Sequence, residues 1–423
     1  MTVFKAVSIV AAIIVAGIVV SALYISYDVS MHVGDKGAPA GPITATLLAR
    51  GEYLTRAGDC AACHSVPSGK PFAGGLPFKL PFGTIYSTNI TSDRATGIGS
   101  WSDDDFVRAL HRGIAPGGRY LYPAFPYTSF TGMSRGDALA IKAYLFRLPP
   151  QHVANKADEL SFPFNQRWGL AFWDLAFLSD RRFVPDPEQS DTVNRGAFLT
   201  TVLGHCGQCH TPRNLAYGLK SGREFAGNVV QGWDAYNITS DKRVGVGTWS
   251  DAQIASFLSS AHAQDHGSAA GPMAKAVEDS LQYLTSTDIS ALVAYLRTVA
   301  AQTGDDAVNA APAPRAQAPQ DELGRQVFEG TCVNCHQFNG DGRQTVYAAL
   351  AGSRAVTDPN GDNIIQIMLK GAKYRIKDQT IYMPAFGPAY SNAELAAVAN
   401  FAIAHFGGTT GRVTPADIAK RRR

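Results

Sequence analysis

Charge imbalance is almost absent from this chain. Its 38 Lys and Arg against 35 Asp and Glu leave a formal net charge of +3 over 423 residues. No Lys/Arg stripe with interleaved aromatics runs through it, so nothing supports a nucleic-acid partner. No glycine-rich phosphate loop, catalytic triad or paired-carboxylate signature stands out, which leaves no evident site for acid–base or nucleophilic catalysis. Methionine and cysteine are scarce, six of each. Apolar content of 45% with 17% charged residues is that of ordinary globular protein, so each domain has material for a core.

The first feature present is an uncharged run from Ala6 to Ile25, rich in Ile, Val and Ala. It is long enough to cross a bilayer as a helix. Lys5 precedes it and the next Lys or Arg is Lys36, so the positive-inside bias puts the N-terminus in the cytoplasm and the rest outside. This predicts a bacterial inner-membrane protein with a single N-terminal span and periplasmic domains. A cleaved signal peptide is the competing reading, with Val20-Ser21-Ala22 as a weak cleavage candidate.

All six cysteines fall into three copies of Cys-x-x-Cys-His: Cys60-Ala61-Ala62-Cys63-His64, Cys206-Gly207-Gln208-Cys209-His210 and Cys332-Val333-Asn334-Cys335-His336. The two thiols of such a unit can add across the vinyl groups of one porphyrin, and the adjacent His is then the proximal iron ligand. Zinc needs about four ligands per ion, usually from neighbouring pairs, and these pairs are far apart. Structural disulfides suit an exported protein but do not account for a His after every pair. Three covalently bound haem c groups are therefore expected, with Cys60, Cys63, Cys206, Cys209, Cys332 and Cys335 as attachment points and His64, His210 and His336 as iron ligands.

The motifs head repeated modules. Asn89-Ile90-Thr91-Ser92-Asp93 recurs as Asn237-Ile238-Thr239-Ser240-Asp241, and Trp101-Ser102-Asp103 as Trp249-Ser250-Asp251. The Trp-Ser-Asp units read as helix starts, with Ser or Asp capping the first turn. A helical pattern with Gly and an aromatic precedes each motif, at Gly51, Gly196 and Gly324. An amphipathic helix closes each module, over 137–146, 288–297 and 394–405. A small residue on one helix facing an aromatic on the other would permit close packing. The fold expected is mainly α, with three tandem class I cytochrome c domains after an N-terminal transmembrane helix. The expected divisions are an anchor (1–27), a linker (28–44), domain 1 (45–150), an aromatic connector (151–190), domain 2 (191–300), an Ala/Pro linker (301–320), domain 3 (321–408) and a solvated basic tail (409–423). The connector holds too many aromatics for a free tether. It is expected to join domains 1 and 2 into one unit, leaving the third more independent.

Met1 and Met31 precede the modules, so the sixth iron ligands are expected by elimination to be Met133, Met273 and Met383. Met368 reads as helix core, and Met383 is placed in an irregular loop before Pro384. Module one is the weakest case, because Tyr122-Pro123-Ala124-Phe125 matches Met383-Pro384-Ala385-Phe386 with Tyr at the Met position. His111 is the rival ligand there, although its helix position favours a surface or propionate role. His205, His262, His266 and His405 read as solvated or packing residues. His/Met ligation leaves no open iron position and suits electron relay rather than peroxide chemistry.

Taken with the Tyr122–Tyr127 segment and Gly271-Pro272-Met273, these motifs resemble the triple-haem cytochrome c subunits of bacterial membrane-bound dehydrogenases. That family serves alcohol, aldehyde, sorbitol, fructose and gluconate dehydrogenases. The resemblance runs from about Ala45 to Phe406 and supports Met133, Met273 and Met383 as ligands. It implies electron transfer from a catalytic subunit carrying molybdopterin with iron–sulfur clusters, flavin or a quinoprotein cofactor, with a small subunit in some complexes, to ubiquinone in the membrane. The N-terminal span favours the aldehyde dehydrogenase type, within an expected aldehyde or alcohol dehydrogenase complex. A relay to a terminal oxidase or soluble cytochrome is the alternative.

Overall fold

The computed structural model describes residues 16–17, 19–20, 23–27, 41–303 and 322–422. Most of the expected anchor and nearly all of the Ala/Pro linker lie outside the described residues. Among the described residues no helix is long and apolar enough to cross a membrane.

The described chain is mainly helical, and each module is built on one crossing of two helices. In the first, helix Ala45–Ala57 meets the closing helix Arg135–Arg147 at Gly51. A Cβ on Gly51 would lie 2.0 Å from the carbonyl oxygen of Ala140 and 2.9 Å from the Cβ of Tyr144. The crossing recurs at Gly196, over Ala291 and Tyr295, and at Gly324, over Ala397 and Phe401. Glycine removes the side chain that would hold the backbones apart, and an aromatic one turn on fills the flank. The contact expected between a small residue and an aromatic is thus present in all three modules.

Each closing helix is capped by a hydroxyl: Ser134 accepts from the amide of Asp137, Thr285 from Asp288 and Ser391 from Glu394. Asp137 and Asp288 then pair back to the opening helix through Arg50 (2.6 Å) and Arg195 (2.7 Å). Module three has Leu323 before its glycine and relies on an apolar core of Phe328, Leu395, Phe401 and Ile403. The Trp-Ser-Asp units start helices Asp103–Arg112 and Asp251–Ser260, with capping boxes Ser102/Asp105 and Ser250/Gln253.

After this middle helix comes a left-handed residue and then a hairpin. Gly113 (φ 64°) leads into Ile114–Ala115 and Arg119–Tyr120, and Ala261 (φ 59°) into His262–Ala263 and Gly267–Ser268. In module three, Gly371 (φ 68°) follows helix Asp362–Lys370 and leads into five-residue strands, Ala372–Ile376 and Gln379–Met383.

The described residues fall into two compact units, Met1–Leu54 with His64–Phe183 and Thr55–Cys63 with Val184–Arg423. Modules two and three therefore share a unit, contrary to the expected pairing of one with two. The long third hairpin is the physical reason. It carries Tyr374 and Ile376 into a cluster with Ala261, Ala269, Ala274 and Val277 of module two. Polar contacts add to this join: the Tyr374 hydroxyl donates to the Ala269 carbonyl (3.1 Å), Gln366 to Gly232 (3.0 Å), and the Asp234 amide to Asn363 (2.8 Å).

The aromatic connector packs within the first unit. Ala171 is buried with Ile114 and Tyr120, Phe164 stacks on Phe82 at 4.4 Å, and Arg167 donates to the Tyr120 carbonyl (2.7 Å) and pairs with Asp158. The basic tail is not free either. Helix Pro415–Arg421 buries Ile418 completely, Arg421 pairs with Asp362, and Arg422 donates to the Tyr390 carbonyl at 2.6 Å. One buried aliphatic and two fixed guanidinium groups outweigh the solvation that its composition suggests.

Candidate functional site

Each Cys-x-x-Cys-His unit forms a short helix: Cys60–His64, the turn Gly207–His210 capped by Cys206, and the turn Val333–His336 capped by Cys332. At helical spacing the first Cys neighbours both the second, three residues on, and the His, four residues on, so the three groups lie on one side of the turn. Asp59 (φ 52°) and His205 (φ 38°), immediately before the first two motifs, take left-handed conformations that re-aim the chain into these turns. In modules two and three the approach is a wide π turn, Leu199–Leu203 and Phe328–Cys332.

The three histidines are held identically. His64 Nδ1 lies 2.6 Å from the carbonyl oxygen of Thr88, His210 Nδ1 2.6 Å from that of Tyr236, and His336 Nδ1 2.7 Å from that of Ala348. A carbonyl only accepts, so Nδ1 carries the proton and the Nε2 lone pair is left for a metal. Burial lowers the pKa of all three, against a smaller raising effect from the same carbonyls, which favours the neutral imidazole. All six cysteines are unpaired. Burial is the largest cause of the rise in Cys60 and Cys206, each to about 12, and in Cys332 to about 11, which keeps these thiols neutral.

The residues match what haem c requires: paired thiols on one helical turn, followed by an imidazole whose Nδ1 is fixed by a main-chain acceptor. The residues fit that group at all three positions. Cys60, Cys63 and His64 would hold the first, Cys206, Cys209 and His210 the second, and Cys332, Cys335 and His336 the third.

The structure also explains the Asn-Ile-Thr-Ser-Asp repeats, whose role was not legible in the sequence. Asn89 follows Thr88, and Asn237 follows Tyr236, the residues whose carbonyls hold His64 and His210. The Asn89 side-chain oxygen accepts from the amide (2.9 Å) and hydroxyl (2.7 Å) of Thr91, and its amide donates to the Gln151 carbonyl (2.7 Å). Asn237 repeats this with Thr239 and with the Gln302 carbonyl. Each buried Asn thus ties the acceptor loop to the chain beyond the closing helix. Asp93, held by Thr96 and Ala95, has its carboxyl drawn down to about 2 by these bonds. Module three has no such repeat, and its acceptor comes from the 3₁₀ turn Val346–Ala348.

The methionines occupy three different settings. Met133 is fully buried in the turn just before the cap of helix Arg135–Arg147. Met273 lies in the first turn of helix Gly271–Asp279 and packs against the cluster that joins modules two and three. Met383 ends a strand, opposite Ala372, rather than sitting in an irregular loop, and strand pairing fixes its main chain more tightly than a loop would. Strand register also corrects the comparison of Tyr122 with Met383. The residue paired with the first hairpin position is Tyr120 in module one, Ser268 in module two and Met383 in module three. The two Tyr/Met-Pro-Ala-Phe segments are therefore offset by two residues, and shared letters there do not mean shared positions.

Met368 is 7% exposed within the third core, as its helical setting suggests. His111 is buried rather than at the surface, and burial lowers it to about 4. His266 stacks on Trp249 at 3.9 Å, His405 stacks on Phe401, and His262 bonds Ser268 at 3.0 Å, all packing roles. Burial lowers His205 to about 4.

Within the second unit the first two cysteine pairs lie near one another. The Asp59 carboxyl raises Cys60 and Cys63 and also reaches Cys206 and Cys209. Asp59 itself is pushed well up, by burial first and then by Asp279.

Residues 319–401 match the sequence family described as cytochrome c oxidase, cbb3-type, subunit III. The chain is 38% identical over 396 residues to the gluconate 2-dehydrogenase cytochrome c subunit of Pantoea cypripedii, covering 89% of this chain and 90% of that protein. It is 34% identical over 414 residues to the cytochrome c subunit of the alcohol dehydrogenase (quinone) of Gluconobacter oxydans, covering 93% and 85%. Identity to a nicotinate dehydrogenase subunit of Pseudomonas putida is 39% over 364 residues; there the match takes in 85% of this chain but only 30% of the longer relative.

Proposed function

Because this chain belongs to the cytochrome c subunits of membrane-bound dehydrogenases, we propose that it relays electrons through three haem c groups from a catalytic subunit to ubiquinone. The observation that carries this reading is the threefold imidazole-to-carbonyl bond beside paired thiols. Bound haem c supplies reversible one-electron redox chemistry. The chain's own residues do the rest. The cysteines tether the group, and His64, His210 and His336 present Nε2. Met133, Met273 and Met383 would supply thioether ligands to the group, and the Thr88, Tyr236 and Ala348 carbonyls fix the tautomer of the histidines. The proximity of the first two cysteine pairs supports a short path between their groups.

The substrate is oxidised in the partner. An alcohol or aldehyde is our reading of it, supported by likeness to three cytochrome c subunits of quinone-dependent alcohol dehydrogenases, whose names also support quinone as the acceptor. Reconstitution tests the proposal. The catalytic subunit with this chain should reduce a ubiquinone analogue, and equal reduction without the chain would refute the relay.

A second reading, delivery to a terminal oxidase or soluble cytochrome, is favoured by the match of 319–401 to an oxidase subunit family. Electron flow that persists when the quinone site is inhibited would support it over the first.

A further inference from the structure

Helix Leu170–Phe177 in the connector is turned inside out. Its one carboxylate, Asp174, is buried and accepts from the Tyr127 hydroxyl at 2.6 Å. Of its large apolar residues Leu170, Trp173 and Phe177 are half-buried, but Phe172 and Leu175 are exposed, Leu175 to 69%. Just upstream, Phe162, Phe164 and Trp168 are exposed at 78%, 49% and 55%. A helix on a water-facing surface shows the reverse pattern, and monomeric soluble proteins rarely leave such a cluster uncovered.

What covers it is indicated by its neighbours in the same unit. Tyr24 and Ile25 pack against Ile114, Tyr120 and Ala171, and the Tyr24 ring lies 5.7 Å from that of Phe172, which in turn meets Trp168 edge-on. Tyr24 and Ile25 end the uncharged run Ala6–Ile25. If that run crosses a bilayer, its outer end lies at the membrane surface, and the connector packed against that end lies there too. The composition agrees: Trp, Tyr and Phe concentrate at the headgroup level. The exposed Arg119 lies beside the Arg167–Asp158 ion pair, which leaves one uncompensated positive charge in that group, and this suits anionic lipid.

We propose that Phe162, Phe164, Trp168, Phe172 and Leu175 form a second membrane contact, seated in the headgroup region beside the N-terminal span. It fixes how the first haem module stands on the bilayer. The proposal rests on the chain being membrane-bound and goes beyond that by naming the surface that meets lipid.

Spin labels test it in the haem-loaded full chain. Leu175→Cys and Phe162→Cys carry the label on the patch, and Leu215→Cys, fully exposed in the second unit, serves as the water reference. The chain is placed in nanodiscs of phosphatidylcholine with phosphatidylglycerol, alone and with its catalytic subunit. At 175 and 162 the ratio of oxygen to nickel-chelate accessibility should be severalfold higher than at 215, in both preparations. A ratio equal to that at 215 would overturn the proposal. So would shielding from both reagents that appears only on adding the catalytic subunit, since the patch would then be a protein interface. Co-elution with nanodiscs reports separately on the N-terminal anchor, so loss of anchoring is distinguishable from a patch that stays in water.

Discussion

The crossing at Gly51 allows a sharp test, because helix propensity and packing point in opposite directions there. Alanine is favoured over glycine inside a helix by about 1 kcal/mol. The added Cβ at position 51, however, would sit 2.0 Å from a main-chain oxygen of Ala140. Reaching ordinary contact requires the helices to part by roughly 1 Å or more, and overpacking of this kind typically costs about 1–3 kcal/mol. Backbone on the far side cannot yield as a side chain would, so the upper half of that range applies. Gly51→Ala should then be destabilising by roughly 1–2 kcal/mol after the propensity gain. Gly136→Ala is the control. It lies in the closing helix of the same module, is exposed, and would meet nothing nearer than 3.8 Å, so only propensity acts. Because a multidomain haem protein does not unfold in one step, the assay is amide hydrogen exchange on peptides covering Ala45–Ala57 and Arg135–Arg147. Gly51→Ala should speed exchange there about five- to thirtyfold, and Gly136→Ala should leave it unchanged or slower. A Gly51→Ala protein as protected as the parent would refute the close-crossing argument for all three modules.

The remaining predictions concern the second unit and the site. Asp234 is raised to about 7 by burial first and then by Asp362 and Asp358. Its folded pKa exceeds the unfolded value, so the stability it contributes is complete below about pH 4 and fades as pH rises through about 7. Asp234→Asn, which mimics the protonated form, should flatten that slope in melts between pH 5 and 8, and an unchanged slope would count against it. Asn237→Ala removes the tie that holds the Tyr236 carbonyl against His210 and should shift the reduction midpoint of one haem by spectroelectrochemistry, with about 1–3 kcal/mol of stability lost. A midpoint set indistinguishable from the parent's would sink that role. Arg195→Ala strips its bidentate partner from the buried Asp288. It should lower the melting temperature more than Arg325→Ala, whose partners Glu322 and Glu329 are exposed. Met133→Leu, Met273→Leu and Met383→Leu should each abolish one third of the near-infrared sulfur-to-iron charge-transfer absorption, and a variant that keeps it all would reassign that ligand.

The candidate attachment cysteines and ligand histidines are legible in the sequence because covalent attachment of haem c would fix their spacing. Cys-x-x-Cys-His puts two thiols and an imidazole on one helical turn. The helix starts at Ser102 and Ser250, and the glycine crossings at 51, 196 and 324, were legible for the same kind of reason: capping and close approach each demand particular residues at particular places. What the chain alone could not decide depended on partners distant in sequence. The acceptors for His64, His210 and His336 are main-chain carbonyls, which every residue has, so no letter marks Thr88, Tyr236 or Ala348. The register that separates Tyr122 from Met383 follows from strand pairing, and similar letters obscured it. The union of modules two and three depends on where a longer hairpin delivers Tyr374 and Ile376. The outward rings of the connector could be counted in the sequence, but only tertiary packing decided that Asp174 would turn in and Phe172 out, because the Tyr127 hydroxyl that receives that carboxylate comes from a different part of the chain.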